Sequence, residues 1–283
     1  MSKFEPKPPI LFNLGIDMPS TPCLFNQYQP TISSLNPNNL ENGYFPEDLL
    51  IEKEGAFSVW YAPFDYINLQ AKVVIVGITP GYQQATNALR KAHQVLMAGG
   101  SSEQAKAESK KFASFSGPMR TNLTDMLDFI GIPLLLDIPS TKALFEDQTH
   151  LVHFTSALRY PVMKNGENYS GTPAITSTPF LNHQLESWFA KECQMLSDAL
   201  FVPLGPKVSD SLWALNKKGT LKSDQILDGL PHPSGANAER IKYFLMKKSK
   251  DALSSRTNPL VIDQAREKLV QKVKVAIALK QDK

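Results

Sequence analysis

The residues best suited to chemistry in this chain of 283 gather at two turns. Gly77-Ile78-Thr79-Pro80-Gly81 follows the apolar run Val73–Val76, and His232-Pro233-Ser234-Gly235-Ala236-Asn237 follows Ile226-Leu227-Asp228-Gly229-Leu230. Each reads as a strand ending in a tight turn that opens a helix. Ligands of open α/β sheets bind beyond the carboxyl ends of strands, so the two turns are expected to build one pocket. At the start of a helix, His232 can donate a hydrogen bond to an oxygen gaining charge, with the helix dipole assisting. Gly77 and Gly81 let the backbone approach a ligand closely, and Pro80 fixes the bend.

The elements that must position these turns follow from hydrophobic periodicity. Strands are expected at 72–76, 151–155, 199–203 and 225–230, with an edge strand in 57–64. Helices are expected at 84–97, 103–112, 121–130, from Thr178-Pro179, from Pro206 to Gly219, at 237–248 and at 258–280. The last would bury Leu260, Val261, Leu269, Val273 and Ile277. Alternation of strand and helix predicts an α/β fold. Its expected form is a three-layer α/β/α sandwich around a central four-stranded, mainly parallel sheet. Residues 1–56, rich in Pro, Asn and Ser, read as an irregular arm wrapping the core, with helical content near 46–53. Residues 57–250 form the main domain, with a helical insert at about 84–114, and 251–283 form a C-terminal helix.

Composition narrows the classes. Apolar residues are 42% and charged residues 20%, enough for a sizeable core. No run reaches the roughly 18 apolar residues of a membrane span, and the start of the chain lacks signal-peptide character. The expectation is a cytoplasmic monomer that needs no cofactor. Two cysteines, Cys23 and Cys193, form no CxxC pair, which excludes a zinc ribbon or a four-cysteine cluster. His150 and His153 are expected on opposite faces of a strand approach, and no metal site is expected. The net charge of +3 is permissive for nucleic acid; Lys106, Lys110, Lys111 and Arg120 form one basic region and Lys242, Lys247, Lys248 and Lys250 another.

Together, the two turns in this order, with two strands between them, resemble the uracil-DNA glycosylase superfamily over about residues 60 to 250. Phe115-Ser116-Gly117 resembles the segment carrying that family's base-stacking Phe, although Phe112 is an equally placed rival. Phe180-Leu181 and Pro203-Leu204-Gly205 extend the likeness. The resemblance implies a monofunctional DNA glycosylase that flips a base out of DNA and hydrolyses its N-glycosidic bond. His232 would face the departing base and Thr79 would hold water. Gly77, Ile78, Gly81, Tyr82, Phe115 and Ser156 would hold the base, the Gly81-Tyr82 N–H groups facing base or phosphate. Ser234, Gly235, Asn237, Arg240 and Arg159 would contact DNA.

Three departures from the family pattern bear on the substrate. Thr79 stands where the family often has an Asp or Asn that orients water, and a hydroxyl is no carboxylate base; Glu167 is a possible replacement. Gly81 stands where strict uracil enzymes place a Tyr that blocks a 5-methyl group. Ser156 stands where an Asn reads uracil bidentately, which a hydroxyl cannot do. These changes point to a modified, 5-substituted pyrimidine, in repair or in defence against modified foreign DNA. A non-catalytic nucleic-acid-binding relative is the alternative. Asp65 is expected at the far end of the sheet in a structural role. No GxSxG elbow, GxxxxGK[ST] loop or GxGxxG turn supports another hydrolase or nucleotide enzyme.

Overall fold

The computed structural model describes residues 23–40, 45–113 and 118–281; Phe115, with Ser116 and Gly117, lies outside the described residues. The described residues of the arm expected to be irregular contain regular structure. Helix α1 (Phe25–Ser34) buries Phe25, Tyr28 and Ile32, and strand β1 (Leu50–Glu54) replaces the expected helix, which shrinks to one turn at Glu47–Leu49. Antiparallel to β1 runs β2 (Phe57–Trp60).

Four fully buried residues, Val73 to Val76, explain the centre of the molecule. They form most of β3 (Val73–Gly77), followed by α2 (Tyr82–Met97), α3 (Ser102–Ala113), α4 (Pro118–Phe129) and α5 (Ile132–Leu136). Gly99, at φ +80°, sits just beyond the end of α2, as its position after the last apolar repeat predicts. Next come β4 (Val152–Ser156), β5 (Val162–Lys164) and β6 (Glu167–Asn168). Asn165 and Gly166, both at positive φ, make the two-residue turn between β5 and β6. The chain continues through α6 (Pro179–Gln184), a wide π turn at Leu185–Ala190 and α7 (Lys191–Met195). Thr178 does not cap α6; its hydroxyl donates to the Ala174 carbonyl instead. Then follow β7 (Leu200–Pro203), α8 (Pro206–Lys217), α9 (Ala238–Phe244) and α10 (Pro259–Gln281).

Two sheets result. The parallel sheet has the order β4-β3-β7, with Gly77 level with Ser156 at the carboxyl ends. Val74 and Val76 pack into one apolar cluster, and Val73 and Ile75 into another on the opposite face. A strand buried on both faces in this way explains the unbroken apolar run. The second sheet, β1-β2-β5-β6, is antiparallel. Thus β2 is an inner strand, not the expected edge.

The segment 225–230 does not form a full fourth strand. It is bridged to β7 at one pair, Phe201 with Ile226, and Leu227 N–H donates to the Phe201 carbonyl at 2.8 Å. Beyond that point Gly229 adopts φ +115°, where a Cβ would lie 2.9 Å from that of Ala265 on α10. Close packing of α10 and a backbone unsuited to a strand end the pairing together. Helix α9 also stops before residue 248, because Met246 takes a left-handed conformation and Lys247 N–H turns back to the Lys242 carbonyl at 2.8 Å. On α10, Leu260 and Val261 are exposed, contrary to expectation, while Leu269 and Val273 are buried. Among the described residues, no helix is long and apolar enough to cross a membrane.

Candidate active site

Both turns border one cleft of about 150 Å³. Gly77, Ile78, Thr79 and Pro80 supply one wall, Phe154, Thr155 and Ser156 at the end of β4 a second, and Leu204 with His232 a third. The parallel register causes this convergence: β4, β3 and β7 end side by side, and the loop after Leu230 returns across them. Asn122 on α4 pins that loop by donating to the Pro233 carbonyl at 2.8 Å.

His232 is half-buried. Its Nδ1 accepts from Ser234 N–H at 3.2 Å, so the neutral ring carries its proton on Nε2. Burial pushes the imidazole below its ordinary pKa, which keeps it neutral near pH 7. The cleft is therefore served by an uncharged N–H donor. The expected helix dipole is weak here, since a single turn at Gly235–Asn237 separates His232 from the short α9.

Ser156 lines the cleft, its hydroxyl bonded to no described residue, and a Cβ added at Gly77 would lie 3.3 Å from its Oγ. Glycine thus leaves the Ser156 hydroxyl its place. Thr155 Oγ1 is buried with no partner. Buried polar atoms are ordinarily satisfied, and this one, with no accessible surface, is an orphan inside the cleft wall.

Several expected roles are altered. Thr79 borders the cleft, but its hydroxyl donates to the Tyr160 carbonyl at 3.1 Å and accepts from Val162 N–H at 3.0 Å. The proton expected to hold water is spent stapling the turn to β5. Gly81 and Tyr82 do not border the cleft; their N–H groups are taken by Gln84 Oε1 at 3.2 Å and Asn168 Oδ1 at 2.8 Å. A Cβ at Gly81 would point to Asn168 at 3.7 Å, so this glycine opens no room for a base. Glu167 is exposed on β6, away from the cleft lining. On the rim, Ser234 Oγ accepts from Asn237 Nδ2, and Arg240 reaches Asn237 Oδ1 at 2.8 Å and the Arg256 carbonyl at 3.1 Å. Gly235 and Arg240 are exposed.

Arg159 is no surface phosphate ligand. It is 2% exposed and locked to the equally buried Glu192, with Nε at 2.8 Å and Nη2 at 2.6 Å from Oε2. The other Glu192 oxygen accepts from His153 Nε2 at 2.6 Å. Lys110, also buried, donates to the carbonyls of Phe64 and Tyr66 and lies 3.3 Å from His153 Nε2. Burial, then the Lys110 charge, lowers the His153 pKa to about 4. Burial likewise lowers Lys110 to about 8. For Glu192, burial opposes ionisation, but Lys110 and Arg159 overcome it and hold the carboxyl well below its ordinary range.

This network forms the back of the cleft, which Lys110 and Arg159 both border. Perturbed titrating groups beside a cavity are a recognised mark of functional sites. Sequence reasoning missed it because its members come from α3, β4, the loop after β4 and α7. Lys106, like Lys110, is buried and belongs to no open basic face. Asp65 is a buried hub as well, accepting from Tyr61 and Tyr160 hydroxyls at 2.8 Å each. Through Tyr160, Asp65 is tied to the loop after β4, while Asn68, three residues on, donates to the carbonyls of His150 and Val152 at the other end of that strand. Among the described residues, no group of three His, Cys, Asp or Glu is placed to hold a metal ion.

The arrangement can therefore supply a neutral imidazole donor and the Ser156 hydroxyl to a planar ligand, with the Lys110 ammonium behind them. Among the described lining residues there is no carboxylate. No protein-family model matches the chain, and no solved structure matches it. Over 221 residues it is 37% identical to the uncharacterized protein YoxB of Bacillus subtilis (strain 168), an overlap of 77% of this chain and 86% of that relative.

Proposed function

This chain belongs to the family of the Bacillus subtilis protein YoxB, and for it we propose the activity of a DNA glycosylase that releases a damaged or modified pyrimidine flipped out of DNA. The observation that carries the proposal is the meeting of His232 with Gly77–Pro80 and Ser156 around one cleft. The scaffold assumed is a three-layer α/β/α sandwich, with the bridged segment at Ile226 counted as the fourth strand of its sheet. The enzyme acts as a cytoplasmic monomer.

In the reaction, the C1′–N bond breaks with its electron pair leaving on the base. The base carbonyl that gains charge accepts a hydrogen bond from His232 Nε2–H, and the Lys110 ammonium behind the cleft favours the same anion. Water then adds to the sugar cation and gives its proton to the base, so the sugar gains a hydroxyl and the backbone stays intact. With Thr79 held in its staple, bond breaking runs ahead of water attack. Stabilising the leaving base matters more in such a reaction than activating water. Ser156, a single hydroxyl, supports a base other than plain uracil. Its free Oγ, rather than Gly81, carries the case for a modified pyrimidine. Ser234, Gly235, Asn237 and Arg240 on the rim would meet the DNA backbone.

Mass spectrometry of bases released from unmodified DNA and from DNA rich in 5-substituted pyrimidines tests the proposal. Release of a modified pyrimidine is expected; fast and exclusive release of uracil would overturn the assignment of the base. One observation favours a second reading, a non-catalytic nucleic-acid-binding relative: the Thr79 hydroxyl proton is committed and no described residue of the lining is a carboxylate. DNA binding without formation of any abasic site would select it.

A further inference from the structure

Because the parallel sheet ends at β4, the outer edge of that strand borders a second and larger cavity of about 520 Å³. That volume lies within the roughly 300–1,000 Å³ of small-molecule sites. It shares Lys110 and Phe154 with the cleft. His150 and His153, expected on opposite faces, both border it.

Two features define its chemistry. The first is charge. Lys110, Lys111 and Arg120 face a single lining carboxylate among the described residues, Glu108, which is ion-paired with Lys91 at 2.9 Å. The second is an aromatic wall, its two rings inclined at 32°. The Arg120 guanidinium lies 4.8 Å from the Phe145 ring centroid, and the Phe145 and Phe154 rings are 5.0 Å apart. Phosphates are held by cationic groups, and nucleobases stack on aromatic and guanidinium planes.

We infer that this cavity is a nucleotide-binding site, taking one nucleoside monophosphate unit with its phosphate toward Lys111 and Arg120 and its base against Phe145 and Phe154. The ligand is a free nucleotide or one nucleotide of a strand, and the inference stands apart from base release. Isothermal titration of the full chain with thymidine monophosphate, and separately with oligothymidylate, distinguishes the two sources.

At least tenfold weaker binding is expected in Lys111→Glu, a change at an exposed position, and in Arg120→Ala. Binding of the mononucleotide should persist in His232→Ala. Binding of the mononucleotide assigns a free ligand, and binding of the oligonucleotide alone, weakened by Lys111→Glu, assigns a strand. The inference is overturned if neither ligand binds, if Lys111→Glu binds as the wild type does, or if His232→Ala abolishes mononucleotide binding, which would place the ligand in the cleft.

Discussion

Glu192→Gln is the sharpest perturbation of the buried network. Glu192 is fully buried and accepts from His153 Nε2 at 2.6 Å, Arg159 Nε at 2.8 Å and Arg159 Nη2 at 2.6 Å. Glutamine keeps the shape but replaces one acceptor with an NH2 group, which must meet a donor. Arg159 cannot lose its proton, so its charge stays buried without compensation. Breaking a buried pair in this way costs about 3–5 kcal/mol, whereas replacing both partners with apolar groups of similar volume is often close to neutral. Urea denaturation followed by circular dichroism should therefore show a loss of that size for Glu192→Gln. The double variant Arg159→Met/Glu192→Leu should recover most of it. A loss below about 1 kcal/mol in the single variant would mean that Arg159 is solvated as a surface pair is, and would return it to the DNA-facing role first expected of it.

Other outcomes follow from the same contacts. His153 is neutral in the folded protein down to about pH 4, whereas an unfolded His takes up a proton near pH 6.5. The unfolded state thus binds more protons between these values, and stability should fall by about 3 kcal/mol as pH drops from 6.5 to 4; His153→Gln should flatten that limb in denaturation curves. Thr79→Val removes the staple between Tyr160 and Val162 and should cost about 2 kcal/mol in melts, with a smaller effect on base release than loss of His232. Gly81→Ala, whose new methyl would meet Asn168 at an ordinary 3.7 Å, should leave folding and base preference unchanged in melts and in release assays on a panel of pyrimidines.

The parts of the fold legible in the sequence were those fixed by short-range pattern. Val73–Val76, β-branched throughout and closed by Gly77, reads as a doubly buried strand, and the glycines at 99 and 100 end α2 where its apolar repeat stops. Both turns of the cleft were visible because a strand end, a bend and a polar residue lie within a few positions. The fourth strand failed for a long-range reason, since Gly229 and the approach of Ala265 are set by a helix some 36 positions further on. The β5–β6 hairpin did carry a local sign, Asn165-Gly166, but its strands, three and two residues long, are too short to show an alternating pattern. Roles at the site were less legible than places. Whether Thr79 holds water or its neighbours, and whether Arg159 meets phosphate or Glu192, depends on partners 81 and 33 positions away. No local pattern reports such pairings.

The most direct test is strand scission by alkali after incubation of the protein with an oligonucleotide carrying one 5-substituted pyrimidine. The wild-type chain should leave an alkali-labile site at that position, and His232→Ala should do so about 100- to 1,000-fold more slowly. A glycosylase built around His232 is contradicted if no abasic site forms at any pyrimidine tested, or if His232→Ala forms them at the wild-type rate.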